Sequence, residues 1–386
     1  MIPDYPAEKL DVKFVVESDD EETRDALAGA RSMLPFEIIV APEGGPRTKP
    51  KALNAALPFA RGSFLVIYDA EDRPEPDQLR NALEAFANDD GTLACVQASL
   101  TIDNTADNWL AALFTVEYAG QFDVFLPALS ALRLPLPLGG SSNHFRTAIL
   151  RRVGGWDPYN VTEDADLGIR IARLGYRSEA IEATTYEEAP SRFGPWLRQR
   201  TRWFKGWLQT WIVHMRKPRQ LARELGLPGF LAFQLMVGGN VLAALVHPIF
   251  LIAFAASIFR NDGWPHSELI TALFGLSVAA GYLTSALIGA LGLMRRGLVG
   301  AVWALPLIPL HWVLLSVAAW RAVYQLIADP YRWEKTDHGF ARTSRLARRQ
   351  RAERIIASIL EGATGAQIVR LRNTSEVRRP PRPGVA

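Results

Sequence analysis

Polar and apolar positions change their rhythm partway along this chain. Up to about Pro218, short apolar runs at residues 12–17, 36–41, 64–69 and 93–100 read as strands, and between them residues 23–33, 50–60 and 76–87 carry apolar positions at helical spacing. That alternation predicts an α/β domain on a mostly parallel sheet. Ligands of such sheets bind beyond the carboxyl ends of the strands, where Glu17, Asp19, Asp69, Glu71 and Gln97 stand. The apolar stretch 109–138 interrupts the rhythm and is placed against a membrane. Gly154, Gly155 and Trp156 then resume the domain, and a helix follows from about Asp164 to Leu174.

Beyond Pro218 the alternation stops. Residues 228–259, 269–294 and 297–320 contain no Asp, Glu, Lys or Arg, and each run exceeds the ~20 apolar residues that a spanning helix needs. Buried helices of a soluble protein would need an unusually large core to cover three such runs. Lys217, Arg219 and Arg223 precede the first run, and Arg295 and Arg296 follow the second. The positive-inside rule therefore puts both flanks in the cytoplasm, with two crossings. Pro306 and Pro309 break the third run, so it either dips in and returns or lies flat from His311 to Ile327. The expected division is a catalytic domain over 1–215 with 109–138 and 195–215 near the membrane interface, membrane or interfacial helices over 216–330, a loop at 331–345, and a basic, partly disordered tail at 346–386. The localisation implied is the inner cell membrane, multi-pass, with the large domain cytoplasmic.

Composition refines this picture only slightly. The 386 residues average 49% hydrophobic and 22% charged, which conceals the two unlike halves. A net charge of +3 is too small for a nucleic-acid binder, and the basic residues cluster beside the apolar runs and in the tail, where anionic lipid headgroups suit them. The single cysteine, Cys95, excludes an internal disulfide.

Three clusters carry candidate chemistry. The first is Tyr68-Asp69-Ala70-Glu71-Asp72, directly after a strand. Alternate carboxylates there suit Mg²⁺ or Mn²⁺ shared with substrate phosphates, and they equally suit an acidic turn that caps the next helix. The second is Thr162-Glu163-Asp164 with Asp166, read either as a helix cap or as the source of a general base. The third is Gln199-Arg200-Thr201-Arg202-Trp203. On a helix, Arg198, Arg202, Lys205 and Gln209 share one face while Trp196, Trp203, Trp207 and Trp211 share the opposite one, the pattern of an amphipathic helix at a membrane surface.

These clusters in this order, with Lys49-Pro50-Lys51-Ala52-Leu53-Asn54 and the apolar runs behind them, resemble the family 2 glycosyltransferases of the membrane-integrated, cellulose-synthase-like type, which carry TED and QxxRW signatures. The resemblance covers roughly residues 12–339. It implies a nucleotide-diphospho-sugar transferase (GT-A, Rossmann-like) domain followed by α-helical transmembrane segments. It also implies an inverting transfer of a sugar to a glycan or lipid-linked acceptor at the cytoplasmic membrane face, in polysaccharide synthesis. A UDP-sugar is the favoured donor, and membrane lipids rather than nucleic acid are the partners. Asp164 would deprotonate the acceptor hydroxyl, with Glu163 beside it in the catalytic motif. Asp69 and Glu71 would hold Mg²⁺ or Mn²⁺, with Asp72 an alternative to Glu71. Arg202 and Gln199 would face the diphosphate or acceptor, and Trp203 would stack on the acceptor sugar. Lys51, with Glu17 or Asp19, would bind the nucleotide. Residues 333–339, Thr336 among them, resemble a gating loop that closes over the donor.

Two departures qualify that picture. A continuous helix points Trp203 toward lipid with the other tryptophans, so either the helix breaks within the motif or the stacking role fails. Residues 1–10 are also too short for the opening strand and helix usual in the family. The expectations are therefore a late start or a degraded relative with weak nucleotide binding, and a catalytically silent membrane partner is the alternative to an enzyme.

Overall fold

The computed structural model describes residues 3–30, 35–260, 268–334, 340–345 and 347–348. In chain order β1 (Val12–Val16), α1 (Glu21–Gly29), β2 (Phe36–Val40), α2 (Lys49–Ala56), β3 (Phe64–Ile67), β4 (Arg73–Pro74), α3 (Gln78–Ala87) and β5 (Leu93–Ile102) alternate as the apolar rhythm requires. Helix α4 (Trp109–Gly120) passes through a π turn (Gln121–Phe125) into α5 (Leu126–Ala131). Then come β6 (Asn143–Arg146), α6 (Thr147–Val153), α7 (Glu163–Arg173), β7 (Arg177–Glu187) and α8 (Phe193–His214). The apolar half holds α9 (Pro218–Phe233), a second π turn (Gln234–Gly239), α10 (Asn240–Arg260), α11 (Glu268–Arg295), a 3-10 stretch (Val299–Leu307) and α12 (Ile308–Ala328).

The α/β class holds, and the mostly parallel sheet does not. Five strands run in the order β3-β6-β5-β7-β4, and only β5 and β7 lie parallel. β6 enters antiparallel between β3 and β5. Its sequence, Asn-His-Phe-Arg, offers no apolar run, and β7 is broken up by Arg177, Glu179 and Glu182, so neither announces itself by periodicity. All ten residues of β5 are buried, as a central strand covered on both faces demands. β1 and β2 form a separate parallel pair. Among the described residues β1 hydrogen-bonds to β2 alone and β3 to β6 alone. The starts of β1 and β3 are joined instead by Asp11, which accepts the Arg61 N–H at 3.0 Å and its guanidinium at 2.7 Å.

One apolar core runs without a break from the sheet into the membrane-type helices. It includes Phe145 and Trp156 beside the sheet, Trp196 and Phe204 on α8, Phe233, Met236 and Val237 around the second π turn, and Leu315, Ala318 and Ala322 on α12. Three stretches, Pro218–Ala253, Gly275–Arg295 and Val299–Ala328, are long and apolar enough to cross a membrane. The first is interrupted by Gly226 at φ 67°, ahead of Pro228. The third is interrupted at its 3-10 stretch, which contains Pro306.

The stretch 109–138 contributes α4, which is buried along nearly its whole length. Its outer neighbour is α11, and the approach is backbone to backbone: a Cβ placed on Gly292 would sit 2.2 Å from the Ala119 carbonyl carbon. At the end of α11, Arg296 bonds the Asp123 carboxylate inside the first π turn, Ser99 at 2.6 Å, and Thr101 on β5. Arg295 donates to the Asp123 carbonyl at 2.5 Å. A guanidinium that serves as a positive-inside signal in sequence is thus also a tie between an apolar helix and the central strand.

Helix α12 does not leave the domain. Its His311 ring lies 6.0 Å from Trp196 near the start of α8. Eighteen residues further on, the Asp329, Pro330 and Arg332 carbonyls accept from Lys205 and Gln209. Its outer face shows an apolar stripe, Leu310, Val313, Val317, Trp320, Tyr324 and Ile327, at helical spacing.

Replacing Gly292 with Leu should force α11 off α4. Overpacking of this kind costs roughly 1–3 kcal/mol, so thermal unfolding in detergent should show a lower Tm for Gly292→Leu and no comparable loss for Gly281→Leu, where a Cβ meets open space.

Candidate active site

A cavity of about 560 Å³ opens beyond the ends of β3, β5 and β7 and is roofed by α8. Asp69 and Glu71 from the turn after β3, Glu163 and Asp164 from the first turn of α7, and Gln199, Arg202 and Trp203 from α8 all line it. Residues 130 positions apart in sequence therefore share one space.

The turn after β3 presents two of its three carboxylates. Asp72 is the exception. It folds back to accept the Asp69 N–H at 2.7 Å and the Ser141 hydroxyl, so it braces the turn and does not substitute for Glu71. Burial, with Asp69 beside it, pushes Asp72 up to about 7. Lys49, at the start of α2, places its ammonium on the Asp69 carboxylate and donates to the Gly140 carbonyl at 2.7 Å. A cation already sits among the oxygens that would hold a metal. Among the described residues no three acidic or imidazole groups converge tightly enough to bind an ion unaided. One or two carboxylates completed by phosphate oxygens is the donor set that Mg²⁺ and Mn²⁺ accept, and Asp69 with Glu71 fits it.

Asp164 and Glu163 differ although they are neighbours. Burial raises both. Asp164 Oδ1 accepts the Ala165 N–H at 2.8 Å, and Lys49 and Arg202 also favour its charge. Glu163, 4% exposed and facing that charge, is driven well above the usual carboxylate range. Of the two, Glu163 is the one on which burial and the neighbouring charge most favour a proton. The third acid, Asp166, is turned away from the cavity into a pair with His214 at 3.0 Å and Arg170 at 2.7 Å, tying α7 to the end of α8.

Helix α8 is unbroken from Phe193 to His214, yet Trp203 does not meet lipid. Its ring stacks with Tyr118 at 6.3 Å and packs beside Phe114, with the Arg200 guanidinium 4.5 Å above it. The tryptophan face of α8 is covered by α4, α12 and the second π turn, where Trp211 donates to Gln234 at 2.9 Å and Trp196 is fully buried. The expectation of a surface helix fails because neighbouring apolar helices supply a protein partner for that face. The basic face is covered too. Lys205, fully buried, donates to the Arg332 carbonyl at 2.7 Å, and Trp333 lies 4.6 Å from the Arg202 guanidinium and lines the cavity.

α8 can lie so close to α7 only because residue 206 is glycine. A Cβ there would stand 2.3 Å from Thr162 Oγ1 and 2.7 Å from the Thr162 nitrogen. Thr162 itself makes no side-chain cap bond to α7, and its backbone N–H donates to Asn160 Oδ1 at 3.0 Å.

Glu17, Asp19 and Lys51 do not line the cavity. Lys51 donates to the Pro42 and Gly44 carbonyls at 2.8 Å each and lies 3.7 Å from Glu17, while Asp19 pairs with Arg47 at 2.6 Å. They form a rim at the carboxyl ends of β1 and β2. Lys49, two positions from Lys51 and so about 200° round the helix, is the one that faces the cavity. The sequence alone offered no means of choosing between the two. The reading also missed the loop at Gly139, Gly140 and Ser141, held by Gln97, whose amide receives the Gly139 N–H at 2.8 Å and donates to Ser141 O at 3.0 Å. Glu187, which burial and Asp72 push up to about 8, was missed as well. So was Arg200, paired to Glu117 at 2.5 Å. Thr336, most of the gating-like loop and the tail from Val369 lie outside the described residues.

Residues 64–329 match the description "Glycosyl transferase family group 2". This chain belongs to that family. Among curated relatives, it is 27% identical over 213 residues to Probable glycosyltransferase YdaM of Bacillus subtilis, covering 52% of this chain and 49% of that protein. It is 26% identical over 246 residues to the beta-monoglucosyldiacylglycerol synthase of Synechocystis sp., covering 61% of this chain and 50% of that protein. The matches thus span about half the length of these relatives. A solved structure, mannosyltransferase PcManGT from Pyrobaculum calidifontis in complex with GDP-Man and Mn²⁺, superposes with a TM-score of 0.52 at 22% identity over 85% of this chain and 80% of that one. The shared fold is the GT-A glycosyltransferase fold.

If Gly206 sets the distance between α7 and α8, Gly206→Ala should part them. Tm should fall by an amount corresponding to ~1–3 kcal/mol, and any nucleotide-sugar turnover should fall with it, whereas Gly194→Ala, whose Cβ meets nothing nearer than 3.9 Å, should change neither.

Proposed function

We propose that this protein transfers a sugar from a nucleotide-diphosphate donor to an acceptor hydroxyl with inversion, at the cytoplasmic face of the inner membrane. The observation that carries this reading is the convergence of Asp69 and Glu71, the Glu163–Asp164 pair and Arg202 with Gln199 on one cavity. A scaffold with no catalytic part would have no use for that set. The family relationship supports the reading, and the relatives' names include both a glycolipid synthase and glucomannan mannosyltransferases.

In this reading Asp164 takes the proton of the acceptor hydroxyl, whose oxygen attacks the anomeric carbon from the side opposite the diphosphate. Asp69 and Glu71 hold Mg²⁺ or Mn²⁺, which when bound neutralises the diphosphate oxygens. Arg202 lies on the same side of the cavity as the acidic pair and opposes charge as it gathers on the leaving group. Lys49 leaves Asp69 for the diphosphate when the donor and ion enter. Trp203 and Tyr118 offer a ring surface for the acceptor. The rim at Glu17, Asp19 and Lys51 receives the nucleoside, with a UDP-sugar the favoured donor and a GDP-sugar the other to test. Trp333, in the segment that resembles a gating loop, lines the cavity beside Arg202 and supports a part for that segment in holding the donor.

The same reading extends to the apolar half and its place relative to the membrane. Because α12 returns along α8, the carbonyls after it and the cavity share one side. The proposal is two crossings, by α9–α10 and α11, with α12 lying along the surface and its apolar stripe toward lipid. Residues 1–215 then stay cytoplasmic and 216–330 form the membrane part.

Asp164→Asn keeps the side chain's shape and removes the base, so turnover should fall by ~10²-fold or more with donor affinity nearly unchanged. Glu163→Gln, which replaces a protonated acid, should retain far more activity and leave the acidic limb of the pH–rate profile in place, since that limb reports Asp164. Asp69→Ala and EDTA should each weaken donor binding, and they should not add, as read by calorimetric titration of a UDP- or GDP-sugar with Mn²⁺. Exposed Arg342, introduced as Cys, should resist an impermeant maleimide in intact cells and react in inverted vesicles; labelling from outside would invert the proposed topology.

A further inference from the structure

The cavity has a second end that the donor chemistry does not use. From the acidic pair it continues along Trp203 and Phe114 to Trp207, Asn240 and Leu315. Asn240 and Leu315 belong to two of the stretches long and apolar enough to cross a membrane, and Leu235 and Leu242, flanking Asn240, are 74% and 60% exposed. The reaction cavity thus reaches a surface that only lipid would cover.

What lines that end limits what can enter it. Its walls are aromatic and aliphatic, and its uncharged polar groups are amides. Gln199 Oε1 is buried with no hydrogen-bond partner, and the Asn240 amide makes no side-chain hydrogen bond among the described residues. A buried amide oxygen without a partner, together with the half-buried Asn240 amide, favours a ligand with hydroxyl groups. Charge argues in the same direction. Seven carboxylates line the whole cavity against three cations, Lys49, Arg200 and Arg202. Arg200 is committed to Glu117 and packed against the Phe114 and Trp203 rings, at 4.3 and 4.5 Å. Lys49 and Arg202 stand at the donor end. A second anion at the far end would meet acidic surroundings with no free cation.

A hydrophilic polymer leaving through the membrane fits no better. In the two-crossing arrangement proposed above, with α12 packed along α8, two spanning helices are too few to enclose a watery passage.

We propose that the acceptor is an uncharged, hydroxyl-bearing lipid that slides in from the bilayer between α8 and the pair α10 and α12. This deepens the glycosyl-transfer reading and rests on it. The lipid hydroxyl points at Asp164, its neighbouring oxygens meet Gln199 and Asn240, and its chains run out past Trp207 and Leu315. The new bond joins the lipid oxygen to the anomeric carbon. The bond from that carbon to the phosphate oxygen breaks, its electron pair leaves with the nucleoside diphosphate, and the hydroxyl proton goes to Asp164.

The test uses the full chain in phosphatidylcholine vesicles, alone or with dioleoylglycerol or undecaprenyl phosphate, supplied with sugar-labelled UDP-glucose, UDP-N-acetylglucosamine or GDP-mannose. A soluble gluco-oligosaccharide is added in a separate arm. Label should enter an uncharged, chloroform-soluble product only in the dioleoylglycerol vesicles. Asn240→Trp and Leu315→Trp, which narrow the entry from two different helices, should each raise the KM for dioleoylglycerol by about tenfold, far more than the KM for the donor. Label on undecaprenyl phosphate, or on the oligosaccharide, overturns the neutral-lipid acceptor. Nucleotide release without any neutral lipid product also overturns it and leaves glycosyl transfer standing. No nucleotide release and no donor binding with any of the three donors overturns both.

Discussion

The close passage of α8 over the first turn of α7, permitted by the missing side chain at Gly206, is the constraint on which the rest of the site depends. Arg202, Gln199 and Trp203 reach the Glu163–Asp164 pair only because two helix backbones approach to a distance that any Cβ would forbid. Other faces of α8 are then occupied along its middle: α4 and the second π turn on one side, α12 on another, and the Asp329 and Arg332 carbonyls over Lys205. A buried ammonium is costly unless its donors are satisfied, so fixing Lys205 also fixes the chain that follows α12.

The same helix explains why no boundary separates a soluble domain from a membrane domain. Apolar side chains from α8 through α12 continue the core of the sheet, and polar ties span the junction at the points where it would otherwise slide. Arg296 binds the Asp123 carboxylate and two hydroxyls of β5, and the Glu117 carboxylate receives both Arg200 and His311. Against the burial that would raise it, Arg200 and His311 bring Glu117 down to about 2. Breaking one partner of such a buried pair is destabilising by roughly 3–5 kcal/mol because it strands the other charge. A movement of the apolar helices would therefore be felt in the cavity, and the reverse holds as well.

Electrostatically the cavity is an acidic vessel with cations at one end. Glu163 and Glu187 are driven toward the protonated form by burial among like charges, and Asp72 is pushed up with them. An acidic lining of this kind suits a donor that brings a metal ion, with Asp164, whose charge Lys49 and Arg202 favour, beside the protonated Glu163.

Sequence by itself determined the local choices. The strand before Asp69, within two residues of its end, the start of α7, within one residue, and the helical character of the segment around Arg202 were legible because each rests on short-range periodicity, caps and turns, and the three apolar runs declared themselves by length. β6 and β7 were not legible, since their stability comes from β5 between them rather than from their own polar residues. Neither was the choice of Lys49 over Lys51, because both stand in the first turn of α2 and only the position of Asp69 and Gly140 decides which ammonium is paired in the cavity. The pattern along α8 correctly gave two faces, but a pattern describes what a face needs, not what supplies it. What covers the tryptophan face, and that α12 packs back along α8, is decided by contacts between residues more than a hundred positions apart, which exist only once the chain has folded.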